Sequence, residues 1–115
     1  MSRTTTGGGA LFLALVFGLA ATTAGADEDE AEDGRLALGR EVFLERAEPR
    51  CPICHTLADA GATGAVGPDL DSLRPSYDRV RAAVVNGIGP MKPNAVLDEK
   101  ELDALAHYVS FVAGG

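Results

Sequence analysis

The 115-residue sequence predicts an all-α domain built from three main helices. Three observations lead there. Apolar residues recur at helical spacing between Leu36 and Phe43 and again between Leu102 and Val112. Helix start and stop signals bracket a third stretch between those two. No segment reads convincingly as a strand.

The chain opens with a leader. Arg3 gives a positive start, Ala10 to Ala21 is an apolar run, and Ala24-Gly25-Ala26 is an A-x-A cleavage site followed by Asp27. The apolar run is shorter than the roughly 20 residues a membrane-spanning helix needs. Residues 1–26 are therefore expected to be a signal peptide, with no stable membrane insertion after cleavage and a periplasmic destination. Removing 26 residues from 115 leaves 89, enough for one small domain. Residues 27–33 carry six of the seventeen acids and almost nothing apolar, and are expected to be a disordered, solvated leader. The domain is expected over residues 34–115. The formal charge is −7, and losing Arg3 makes it −8. That balance argues against nucleic acid, whose phosphates want a basic face.

The first helix is expected from about Gly34 to Arg46, with Leu36, Gly39, Val42 and Phe43 on one face and Pro49 as its stop. Residues 60–67, Ala-Gly-Ala-Thr-Gly-Ala-Val-Gly, form a flexible loop unsuited to helix or strand, because glycine weakens both. The middle helix runs from Ser76, its N-cap, to Asn86, with Asp78 in its first turn and Asn86-Gly87 as its stop. Gly87 to Pro93 is a Gly/Pro-rich loop. The last helix starts at a D-x-x-E capping box, Asp98 with Glu101, flanked by Leu97 and Leu102 as a hydrophobic staple. Leu102, Leu105, Ala106, Val109 and Val112 then mark its buried face.

Between the first and middle helices lies Cys51-Pro52-Ile53-Cys54-His55, the C-x-x-C-H pattern of haem c attachment. The two thiols add to the haem vinyl groups, and His55 reaches the iron from one face. Both cysteines of the chain are used here, so no disulfide framework is expected. A thioredoxin-like dithiol would need a βαβ pattern. A structural zinc site would need four ligands, which Cys51, Cys54, His55 and distant His107 barely supply.

The second axial position decides function, since a closed iron transfers electrons and an open one binds or reacts. Met91 is the one methionine left after the leader, and it sits in a Gly/Pro loop where a core gap-filler would be out of place. Its thioether is a soft ligand that raises the haem potential. His107 lies off the apolar face, four residues after Asp103, and reads as half of an exposed ion pair. A ligating histidine usually donates its other ring N–H to a fixed acceptor. The Pro68 carbonyl is the acceptor expected for His55, with Leu70 then facing the haem. Tyr108 borders the apolar face, where it either packs against a helix or donates its hydroxyl to a haem propionate.

Taken together, Gly39 and Phe43, Cys51 to His55, Gly67-Pro68-Asp69-Leu70, Ser76 to Asn86, Met91 and Leu102 to Val109 resemble the class I monohaem cytochrome c family over nearly all of residues 34–115. The resemblance implies three main helices wrapped round one covalent haem c, with Gly39 at the crossing of the first and last helices and the rings of Phe43 and Tyr108 beside it. It implies an electron carrier rather than an enzyme, with Cys51, Cys54, His55, Pro68, Leu70 and Met91 around the haem. Its axial metal ligands are His55 and Met91. A haem-based ligand sensor or a peroxidase is the alternative if the sixth iron position is open. His55-Thr56-Leu57, the Gly-Ala-Val-Gly-Pro run and Asn86-Gly87-Ile88-Gly89 are similar to monohaem cytochromes that serve bacterial sulfite dehydrogenases. That implies redox protein partners: a molybdenum sulfite dehydrogenase as donor and a terminal oxidase or another cytochrome as acceptor. The chain departs from the family in having no tryptophan near a propionate. Arg74, Tyr77 and Tyr108 are the candidate replacements.

Overall fold

The first and last helices cross at backbone contact, and that crossing sets the rest of the architecture. The computed structural model describes residues 2, 7–18 and 24–115. Helix α1 spans Ala24–Glu41 and runs on as a π-helical turn over Val42–Arg46. The cysteine motif follows as a 3-10 turn, Cys51–Ile53. Strands β1 (Thr56–Leu57) and β2 (Ala62–Thr63) form a two-residue antiparallel hairpin in which Leu57 faces Ala62. Short α2 (Leu70–Leu73), α3 (Tyr77–Asn86) and α4 (Glu99–Val112) complete the chain. Among the described residues the fold is mostly helical, with this hairpin as its one sheet.

At the crossing, a Cβ placed on Gly39 would lie 2.2 Å from the Ala104 carbonyl oxygen and 2.4 Å from the Tyr108 Cβ. Only glycine permits that approach. One turn further on, Phe43 meets Tyr108 edge-on, with ring centroids 6.3 Å apart. Val42, Phe43, Leu57, Leu105 and Tyr108 are the largest fully buried side chains, so the core sits between α1, α4 and the hairpin. The Gly39, Phe43 and Tyr108 placements agree with the resemblance.

Local signals held where the chemistry is local. Ser76 accepts from the Arg79 N–H and caps α3. Both halves of the Asp98–Glu101 capping box form, at 2.8 and 3.1 Å. Gly87, at φ 72°, closes α3.

Four expectations need correction. Residues 27–33 are not a disordered leader here; they lie within the first three turns of α1, which begins at Ala24 rather than near Gly34. Alanine and glutamate favour helix, and acids near a helix N-terminus complement its dipole. The segment is also tied to α4, since Glu32 Oε1 lies 2.5 Å from His107 Nε2. His107 therefore pairs with Glu32 and not with Asp103. The Asp103 carboxylate instead receives a two-pronged contact from Arg35, both distances 2.8 Å, and the Tyr77 hydroxyl at 2.7 Å. A bidentate guanidinium outcompetes an i,i+4 imidazole. The loop at residues 60–67, expected to be unsuited to a strand, contributes β2, because Leu57 and Ala62 are both buried and their backbone groups must pair. Finally, α2 went unpredicted. Asp69 caps it by accepting from the Asp71 and Ser72 N–H groups.

Of the expected leader, residues 1, 3–6 and 19–23, which include Arg3 and the end of the apolar run, lie outside the described residues. Leu11, Phe12, Leu13, Leu15, Val16 and Phe17 are exposed. No helix among the described residues is long and apolar enough to cross a membrane.

Asp103 generates a pH prediction. Its hydrogen bonds from Arg35, then Tyr77, hold the carboxyl below its ordinary range against the opposing effect of burial. The unfolded chain then binds the proton more readily than the native one, so this stabilisation is present above the ordinary carboxylate pKa and is lost as pH falls through the depressed one. Urea midpoints measured between about pH 6 and pH 3 should fall for the native sequence and fall less steeply for Asp103→Asn. Equal slopes would show that the network does not contribute.

Candidate haem site

The turn carrying Cys51, Cys54 and His55 is boxed in by glycines. The His55 N–H bonds the Cys51 carbonyl at 3.0 Å, and the Gly67 N–H bonds the Cys54 carbonyl at 2.6 Å. A Cβ on Gly64 would sit 2.6 Å from the His55 nitrogen, and one on Gly67 would sit 2.6 Å from the His55 ring carbon Cε1. These loop glycines are close-approach positions against the motif. They are not simply flexible spacers.

His55 Nδ1 lies 2.8 Å from the Pro68 carbonyl oxygen. A carbonyl only accepts, so Nδ1 carries a proton, and in the neutral ring Nε2 keeps its lone pair. This is the tautomer an Nε2 metal ligand needs. Pro68 precedes α2, and the Asp69 cap fixes the chain there. Asp71 ties the same region down by accepting from the Ala58 N–H at 2.8 Å and the Gly114 N–H at 2.9 Å. Those two bonds hold its carboxyl below the usual range.

Met91 is placed by the turn after α3. Ile88 and Met91 exchange both backbone hydrogen bonds, at 2.9 and 3.0 Å. Gly87 again has no room for a side chain: a Cβ there would lie 2.7 Å from the Met91 carbonyl oxygen and 2.8 Å from Pro93 Cδ.

Cys51, Cys54, His55, Pro68, Leu70 and Met91 all line one cavity of about 930 Å³. Its wall is continuous with the core through Phe43, Leu105, Val109, Val80 and Val84. None of the lining residues is acidic, and three are cationic: Arg50, Arg79 and Lys92. A large apolar group fits here, and it would finish a core that the side chains leave open on one side. The two cysteines are free. Burial pushes the Cys51 thiol up to about 12, the reverse of what an attacking dithiol requires.

Other sequence candidates fall away from this cavity. His107 does not line it, and among the described residues no three His, Cys, Asp or Glu side chains gather as a metal cluster would. The propionate candidates are engaged elsewhere. Arg74 donates to the Gly114 carbonyl, Tyr77 to Asp103, and Tyr108 to Asp59 at 2.5 Å. Burial, then the Asp59 contact, raises the Tyr108 hydroxyl well above its usual range. Tyr108 is thus a packing residue.

The comparisons with known proteins agree with this geometry. The family described as cytochrome C oxidase, cbb3-type, subunit III matches residues 34–109. The chain belongs to that family. The crystal structure of the c-type cytochrome SorU from Sinorhizobium meliloti is similar at 61% sequence identity, over 71% of this chain and 94% of that one, with a TM-score of 0.70. No curated protein matches the chain. The protein is a c-type cytochrome of the all-α class, carries covalent haem c with its iron, and transfers electrons with redox partners rather than acting as an enzyme.

Because the His55 ring rests against Gly67, Gly67→Ala should displace it. The expected result is a severalfold lower yield of haem-bound protein, read as Soret absorbance per unit of purified chain. An unchanged yield and spectrum would show that the ring has room to spare.

Proposed function

We propose that this cytochrome carries single electrons in the periplasm through one haem attached at Cys51 and Cys54 and ligated axially by His55 and Met91. The observation that carries the reading is the shared cavity: the motif, the histidine oriented by Pro68, and Met91 all line it. Bound there, the haem supplies a one-electron ferric/ferrous couple. The chain supplies the rest. The Pro68 carbonyl holds the His55 proton on Nδ1 and leaves Nε2 available to iron. The Ile88–Met91 turn presents a neutral, soft sulfur, which favours the reduced state. Phe43, Leu70, Leu105 and Val109 exclude water, so that little solvent has to reorganise as charge changes. The stiff turn at Met91 supports a closed iron over the open one that a sensor or peroxidase requires.

Met91→Ala tests the ligand. Haem attachment should survive, the reduction potential should fall, and carbon monoxide should bind the ferrous form readily. A variant with the native spectrum and potential would show that Met91 is not the ligand.

Residues 1–26 are read as the export signal, on Arg3, the apolar run and the Ala24-Gly25-Ala26 site. The donor is read as a molybdenum sulfite dehydrogenase, with a terminal oxidase or another cytochrome as acceptor. The segments at His55-Thr56-Leu57, Gly64 to Pro68 and Asn86 to Gly89 support that donor. Ferric cytochrome mixed with such a dehydrogenase and sulfite should be reduced much faster than an unrelated monohaem cytochrome under the same conditions. Equal rates would remove the donor and leave the haem assignment standing.

A further inference from the structure

We propose that Arg79 is the cavity cation that pairs with the haem's propionate carboxylates. The inference rests on the haem reading above and adds a residue that the motif does not point to. Propionates are fixed parts of the haem, and carboxylates set against an apolar cavity without partners are costly. The chain has no tryptophan to serve them, and Arg74, Tyr77 and Tyr108 are committed elsewhere and do not line the cavity.

The cavity's cations remain. Arg50 adjoins Cys51 and is within 3.9 Å of Glu45. Among the described residues, Arg79 and Lys92 are the lining cations that form no ion pair with the protein. No lining residue is acidic, although the chain has 17 acids against 10 bases. The cavity is therefore a place where added carboxylates meet attraction without repulsion from its walls.

Arg79 is also poorly placed for helix stability. It follows the Ser76 cap in the first turn of α3, where the helix dipole favours anions. On the same face, Ala82, Ala83 and Asn86 line the cavity at i+3, i+4 and i+7. The long cation stands at the head of a face made of small residues. Arg81, two residues on, points its charge to Glu99 and does not line the cavity.

The test uses the full chain exported with haem-attachment machinery, and compares Arg79→Gln, Arg79→Lys and Arg81→Gln. The absorption spectrum first reports covalent haem, so failure of the haem reading shows separately. Reduction potential and the resonance Raman propionate-bending band are then measured. Arg79→Gln should lower the potential by about 59 mV, a tenfold change for a one-electron couple, and shift the band. Arg79→Lys should keep most of the potential while still shifting the band, and it carries the test if the glutamine variant does not mature. Arg81→Gln should change neither. An Arg79→Gln protein that matches Arg81→Gln in both readouts overturns the proposal. So does one that alters only the salt dependence of electron transfer to a partner, which would place Arg79 in docking.

Discussion

The site hangs from the close crossing of α1 and α4 at Gly39. With the Ala104 carbonyl where a Cβ would be, the two helix backbones touch, and no side chain separates them. That contact aims Phe43, in the π-helical turn that continues α1, and Leu105 and Val109 from α4 at the same cavity wall. It also brings Arg35 within reach of Asp103 and Glu32 within reach of His107. A bulkier residue at position 39 would separate the helices and open the cavity wall proposed to hold the haem. In a domain this small, the apolar group bound in the cavity is part of the core as well as the reactive centre.

Charge is divided in the same economical way. Several acids of α1, of α4 and of its cap make ion pairs or caps away from the cavity, as in Glu32 with His107, Asp103 with Arg35 and Asp98 with Glu101. The cavity keeps neutral ligating groups and cations. His55 is held in one tautomer by a backbone carbonyl, which adds no charge near the iron. In the ligation proposed above, a neutral histidine and a neutral thioether in a low-dielectric setting would favour the less charged, reduced iron, which would suit an acceptor of electrons.

Features legible in the sequence are those whose chemistry is local. The C-x-x-C-H motif, the Ser76 and Asp98 caps, and the Gly67-Pro68 segment each depend on residues a few positions apart. The His55–Pro68 contact needed only the rule that a ligating histidine seeks an acceptor. What was hidden depends on distant partners. Glu32 and His107 are far apart in sequence, and only the crossing joins them, so an acidic run that looks disordered alone is helical here. Asp71 binds Ala58 and Gly114 from a position that looks like an ordinary surface acid. Arg79 left a faint signal, since a cation sits in a helix's first turn above two alanines, but that signal has meaning only once the cavity is known.

The central claim is a closed, six-coordinate haem in this cavity. Optical spectra of the exported protein in ferric and ferrous forms, with carbon monoxide added to the ferrous form, test it most directly. A closed haem gives a low-spin c-type spectrum, a weak near-red band from methionine–iron ligation, and no response to carbon monoxide. A high-spin ferric spectrum without that band, shifting readily with carbon monoxide, would contradict it.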